Sequence, residues 1–215
     1  MNKYPKCYLV GTGECHDLTF SLLPGDLVIA VDGGLTHLED YGISPDLIVG
    51  DFDSLAEPPA PDERVVTLPT EKDDTDMAAA VREGWIRGFR IFHIYGGTGG
   101  RLDHTLANIQ LLADIAGKGG RGFLFDKDTI ITAICNTAVT FPATARGMVS
   151  VFSHTDTSTG VHERGLKYTL ENATLHSTQP LGISNEFTGA PSGISVESGT
   201  LIIIYPKTVQ EENCS

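Results

Sequence analysis

Short apolar runs that stop at glycine or aspartate do most to limit what this chain can fold into. Residues 7–10 end in Gly11-Thr12-Gly13 and residues 27–31 in Asp32-Gly33-Gly34. Residues 47–49 end in Gly50-Asp51-Phe52-Asp53-Ser54, and residues 90–95 in Gly96-Gly97; residues 64–68 form a further run. Apolar runs without polar alternation suit strands covered on both faces, as in a parallel sheet. The spacing predicts a helix over 75–88, with Met77, Ala80, Val81 and Trp85 on one face, and another over 103–117, gathering Leu106, Ile109, Leu112, Ala113 and Ala116. Asp74 or Thr75 is the expected cap of the first and Asp103 of the second. Strand, turn, helix, strand is the order of an α/β open parallel-sheet domain, Rossmann-like, over residues 1–125.

The pattern changes near Phe123. Short β-prone runs recur at 123–125, 130–135, 138–141, 148–152, 167–170, 193–196 and 201–205, separated by turn-forming stretches such as Asp126-Lys127-Asp128 and Glu197-Ser198-Gly199. Closely spaced short strands predict a C-terminal all-β sandwich domain over residues 126–215.

Charge narrows the function. Lys and Arg number 15 against 28 Asp and Glu, for a net charge of -13. A nucleic-acid backbone binder needs the opposite balance, so nucleic acid is excluded as a partner. No run approaches the length of a membrane span, and the first ten residues lack the apolar stretch of a signal peptide. Cys7, Cys15, Cys135 and Cys214 form no C-x-x-C pair, which points to a reducing, cytoplasmic setting.

Between Asp46 and Asp76 ten carboxylates face two cations, Arg64 and Lys72. Asp32, Asp51 and Asp53 follow strands, and Lys72-Asp73-Asp74-Thr75-Asp76 opens a helix. In open α/β sheets ligands bind beyond the carboxyl ends of the strands. Carboxylates gathered there repel one another unless a cation stands among them, and Mg2+ suits a few carboxylates together with phosphate oxygens. Turn and cap chemistry is the alternative use of these aspartates.

The stretch Gly96-Gly97-Thr98-Gly99-Gly100-Arg101-Leu102-Asp103-His104 lies between a strand and a helix. Its glycines let backbone N–H groups approach a phosphate, Arg101 offers a fork, and the helix adds its positive end. It fits neither the P-loop nor the dinucleotide fingerprint. Gly11, Thr12, Gly33 and Gly34 are either ordinary tight turns or places where a nucleotide lies against the backbone. In the β domain, Phe187 in Gly182-Ile183-Ser184-Asn185-Glu186-Phe187 is either core or a platform for a flat heterocycle, with Ser184 and Asn185 as hydrogen-bonding groups and Tyr168 able to line the same pocket.

Asp32-Gly33-Gly34, Gly50-Asp51-Phe52-Asp53-Ser54, Lys72-Asp73-Asp74-Thr75-Asp76, Gly99-Gly100-Arg101-Leu102-Asp103-His104 and Ile183-Ser184-Asn185, in this order, resemble the thiamine pyrophosphokinase family. The resemblance runs from about Val10 to Tyr205 and departs from the family's usual pattern at Leu35-Thr36. It implies Mg2+-dependent transfer of pyrophosphate from ATP to the thiamine hydroxyl, giving thiamine diphosphate and AMP, by a homodimer with active sites between subunits. It implies that Asp51, Asp53 and Asp76 ligate or orient Mg2+, with Asp32 nearby, and that Lys72, Asp73 and Thr75 border the transferring phosphates. Gly11, Thr12, Gly33, Gly34, Thr98, Arg101, Asp103 and His104 would then lie near ATP, and Ser184, Asn185 and Phe187 would hold thiamine. A pyrophosphokinase for another heterocyclic alcohol, of the hydroxymethylpterin type, and a non-catalytic thiamine or nucleotide sensor use the same residue types.

Overall fold

The structure, a computed structural model, describes residues 4–18, 20–52, 60, 62, 64–69 and 73–209. Contacts divide the chain into two units. One contains Lys3–Leu111 and Leu124–Lys127; the other contains Leu112–Phe123 and Asp128–Ser215. The division falls inside a helix and a strand rather than between elements.

The first unit is built on parallel strands β1 (Lys6–Val10), β2 (Leu27–Val31), β3 (Leu47–Gly50), β4 (Val65–Thr67) and β5 (Ile91–Tyr95). Their order is β5-β1-β2-β3-β4, and every pairing is parallel. β5 is buried at all its residues and β3 likewise, which is why these strands read as uninterrupted apolar runs. The chain adds strands outward from β1 to β4, then crosses back to place β5 on the other side of β1. The order therefore reverses between β1 and β5, and that is where an open parallel sheet leaves a crevice at its carboxyl edge. Tyr8, Val10, Val28, Ala30, Ile48, Leu38, Phe52 and Tyr95 form one continuous core.

Among the described residues, helices α1 (Gly34–Asp40), α2 (Asp76–Ile86) and α3 (Leu102–Gly117) accompany these strands. The two longer ones follow the sequence expectation. Thr75 caps α2, its hydroxyl accepting the Ala78 N–H at 3.1 Å. α2 buries Met77, Ala80 and Val81 as expected, while Trp85 stays half-buried, stacked on Phe92 and covered by Arg90. Two expectations fail on α3. It begins at Leu102, so Asp103 sits inside the first turn instead of capping it. Leu106, expected in the core, is 55% exposed. α1 was not expected at all, because two glycines at a helix start read as a turn.

The second unit is antiparallel. β7 (Thr129–Cys135), β9 (Met148–Ser153), β12 (Gly182–Glu186) and β14 (Thr200–Pro206) pair in the order β12-β9-β14-β7. β8 (Ala138–Phe141), β10 (Thr157–Arg164), β11 (Leu170–His176) and β13 (Ser192–Ser195) form a four-stranded sheet, β11-β10-β13-β8. Phe141 of β8 meets Tyr205 of β14 and Phe187 edge-on, so residues of both sheets share one core. β6 (Arg121–Phe125) straddles the division between the units. Sequence pattern missed β10 and β12 and put the start of β11 at 167 rather than Leu170. The reason is visible in β10: its fully buried positions include Ser158 and Glu163, so the inward face is not apolar.

Candidate active site

The carboxyl ends of β1 and β5 are joined beyond the sheet by their own backbones. Gly11 N–H donates to the Tyr95 carbonyl at 2.8 Å, Gly13 N–H to Gly96 at 2.8 Å, and Glu14 N–H to Thr98 at 2.9 Å. The approach demands glycine: a Cβ on Gly13 would lie 2.4 Å from the Thr98 carbonyl oxygen, and one on Gly96 would lie 2.3 Å from that of Gly11. Two loops read separately as glycine turns are thus one paired floor. Asn108 of α3 fixes the second loop, its buried amide donating to the Gly97 carbonyl at 2.7 Å. The Thr98 hydroxyl is taken by Asp126 at 2.7 Å. His37 reaches across from α1 to hydrogen-bond the Gly13 carbonyl through Nε2 at 3.0 Å.

A cavity of about 400 Å3 opens over this floor. Both glycine segments line it, together with Asp32 after β2, Thr75 and Asp76 at the start of α2, and Arg101 and His104 at the start of α3. Seven expected site residues therefore share one cavity: Gly11, Thr12, Asp32, Thr75, Thr98, Arg101 and His104, joined by the expected catalytic residue Asp76. Met77 and Asn108 line it too and were missed, since an apolar residue and a lone amide on a helix carry no sequence signal.

Local backbone geometry aims the acidic residues. Asp32 has φ 50 and Phe52 has φ 59, both in the left-handed region that is costly outside glycine. At Phe52 the core explains it: the ring is 6% exposed and packed in the cluster with Val10 and Tyr95, so the chain turns sharply where β3 ends. Asp51 sits half-buried at that turn, outside the lining of the cavity. Gly33 and Gly34 lie at the start of α1, and Gly34 is buried against the end of β1.

The charged side chains are partly engaged with one another. Asp74 accepts from Thr75 N–H at 3.0 Å and pairs with Arg82 at 2.8 Å, so it braces α2. Asp73 is exposed. Arg101 grips Asp103 through two bonds, Nε at 3.1 Å and Nη2 at 2.6 Å, on a side chain that is 71% exposed. The Arg101 hydrogen bond holds the Asp103 carboxyl down to about 2. Asp53 and Lys72 lie outside the described residues. Among the described residues no group of three or more His, Cys, Asp or Glu stands ready to hold a metal ion.

In the second unit the expected thiamine residues separate. Ser184 is exposed, with φ 57, at a register shift between Gly182 and Asn185. Asn185 is buried at 3% and Phe187 at 4%, and Phe187 packs edge-on against Phe141. Phe187, one residue beyond β12, is thus part of the core. The exposed aromatic of this region is Tyr168, at 62%.

The chain matches two family models: "Thiamin pyrophosphokinase, catalytic domain" over residues 23–121, and "Thiamin pyrophosphokinase, vitamin B1 binding domain" over residues 138–203. It is 34% identical to a thiamine pyrophosphokinase of Bacillus subtilis over 203 residues, covering 87% of this chain and 91% of the relative. A thiamin pyrophosphokinase of Caenorhabditis elegans is 27% identical, with 74% of this chain and 71% of the relative covered. Among solved structures, a thiamine pyrophosphokinase from Bacillus subtilis superimposes with a TM-score of 0.83 at 29% identity, covering 94% of this chain and 98% of that one. One from Geobacillus thermodenitrificans gives 0.79 at 28% identity, covering 97% and 99%. The chain therefore belongs to the thiamin pyrophosphokinase family, transferases that move pyrophosphate from ATP to thiamine.

Proposed function

We propose that this chain binds ATP in the cavity over the β1 and β5 ends and transfers its pyrophosphate to the hydroxyl of thiamine. The observation carrying the reading is that single cavity, where the paired glycine backbone, Asp32, Asp76 and Arg101 all face one space. The floor suits a polyphosphate: glycine leaves room for the ligand to approach the main chain, and Arg101, paired with Asp103, adds a cation to the lining. A Rossmann-like description of the first unit, as the ATP-binding domain over about 1–125, and of the second as a thiamine-binding sandwich over about 126–215, belongs to this reading.

The donor set fits Mg2+. Asp32 after β2 and Asp76 at the start of α2 bring hard oxygen donors to the cavity, with Asp51 after β3 assigned beside them, and Mg2+ needs only one or two carboxylates beside water and phosphate. A ready-made cage is therefore not required. Bound there, Mg2+ would supply charge neutralisation of the phosphates during transfer. The family resemblance assigns Asp53 to Mg2+ and Lys72 and Asp73 to the transferring phosphates. The protein's remaining work is alignment, since phosphoryl-type transfer depends on positioning and electrostatics. Thr75 holds the start of α2, Asn108 holds the Gly97 loop, and His104 faces the same cavity. Thiamine is cationic, and an acidic edge suits it.

A homodimer with active sites between subunits completes the assignment; it would bring the Ser184 segment of one copy to the cavity of another. Cys7 and Cys135 are free thiols, which supports a cytoplasmic setting. Among the described residues no helix is long and apolar enough to cross a membrane.

Single-turnover analysis with Mg-ATP and thiamine, with and without EDTA, tests the reading. AMP and thiamine diphosphate should appear in equal amounts and vanish with EDTA, and Asp51→Ala should fold normally while losing turnover. Formation of ADP and thiamine monophosphate would overturn it. Turnover of a hydroxymethylpterin in place of thiamine would move the substrate assignment.

A further inference from the structure

Glu163 of β10 is fully buried, at 0% exposure. Its Oε2 accepts from Asn185 Nδ2 at 2.7 Å, and its Oε1 has no hydrogen-bond partner among the described residues. Burial raises the carboxyl above its ordinary range, with the Asn185 hydrogen bond opposing. β12 closes over it through Gly182, where a Cβ would stand 2.7 Å from the Val151 carbonyl oxygen and 3.1 Å from Glu163 Oε1.

Asn185 spends its whole amide internally. Nδ2 also donates to the Tyr168 carbonyl at 2.6 Å, and Oδ1 accepts from the Tyr168 N–H at 2.9 Å and the Glu186 N–H at 2.9 Å. A carboxamide has two donor hydrogens and two acceptor lone pairs, so none is left for a ligand. What the amide holds is the main chain on both sides of it. Tyr168, clasped through both its N–H and its carbonyl, presents an exposed ring. Ser184 stands exposed at the bulge, in left-handed backbone, its N–H donating to Ser150 Oγ at 3.1 Å. Bulges re-aim side chains in this way.

We infer that Glu163 is a positioning residue for substrate recognition: through Asn185 it locks the main chain that presents Tyr168 and Ser184 to thiamine. The inference rests on the reading that thiamine binds at this segment of the second unit. Asn185 acts through the clasp and makes no direct contact with thiamine.

The test is steady-state AMP formation by full-length variants, reading the KM for thiamine, the KM for ATP and kcat separately. E163L removes the acceptor from Asn185 and should raise the thiamine KM about tenfold, with kcat and the ATP KM within about twofold of wild type. E163Q keeps an acceptor for Asn185 and should restore the wild-type thiamine KM. E163M fills the space if E163L does not fold. Y168A and S184G should raise the thiamine KM alone, glycine at 184 keeping the backbone geometry. A folded E163L or E163M with a wild-type thiamine KM, while Y168A or S184G raises it, overturns the clasp. A wild-type thiamine KM in both Y168A and S184G overturns the placement of thiamine, and the inference with it.

Discussion

Gly34 gives the sharpest test of how the cavity is built. A methyl at this position would stand 1.8 Å from the Val10 carbonyl oxygen, 2.5 Å from the Val10 carbon and 3.1 Å from that of Gly11. Carbon and oxygen in ordinary contact are roughly 3.3 Å apart, so the helix start and the strand end must separate by roughly 1.5 Å. The obstacle is main chain, and β1 is paired on both sides, to β2 and to β5. It therefore yields little. Alanine normally favours a helix over glycine by about 1 kcal/mol, whereas overpacking costs about 1–3 kcal/mol and sometimes more. The clash wins, and Gly34→Ala should destabilise by about 3 kcal/mol. For a chain of this size that lowers the melting temperature by roughly 6–12 °C. Because Asp32 and Gly33 lead directly into Gly34, the ATP KM should rise as well. The paired measurement is Gly117→Ala at the end of α3, where nothing stands within 4 Å of an added Cβ; it should be neutral or stabilising by up to about 1 kcal/mol. Thermal and urea unfolding of both variants, with ATP titration, checks this. A Gly34→Ala protein that melts with the wild type and binds ATP equally would refute the close packing of α1 on β1 and its part in shaping the cavity.

Thr75→Ala removes the α2 cap and should cost about 1 kcal/mol in urea unfolding, with Thr75→Ser recovering most of it; equal stability of Ala and wild type would mean the cap contributes nothing. Asp103 has its folded carboxyl held at about 2, below the ordinary 3.8, so its ion pair with Arg101 contributes stability above that ordinary value and loses it as pH falls through about 2. An NMR titration should show this depressed carboxyl returning towards its ordinary range in Arg101→Gln, and an unchanged titration would show that Arg101 is not the cause.

Much of the first unit was legible in order because both faces of β1, β2, β3 and β5 are covered, which leaves their apolar runs unbroken. Glycine and aspartate at the run ends marked the carboxyl edge for the same reason: the chain must turn where the strand stops. Hydrogen-bonding chemistry made the α2 cap at Thr75 readable one residue at a time. The second unit was legible as closely spaced strands, but β10 and β12 were not, because Ser158, Glu163 and Asn185 occupy buried positions where an apolar pattern was needed.

What belongs to the sequence alone is thus local: strand and helix periods, turn residues, the acidic run and the ordered motifs that carry the family resemblance. Tertiary structure decided which of those residues meet. It put Gly11 beside Gly96 through pairing of distant strands, turned Phe52 inward so that Asp51 sits at the edge, spent Asn185 on Tyr168 and Glu163, and sent Phe187 to the core. The physical reason is that a hydrogen bond or a packing contact between residues far apart in the chain depends on how strands pair and layers close, and local residue pattern carries no record of that choice.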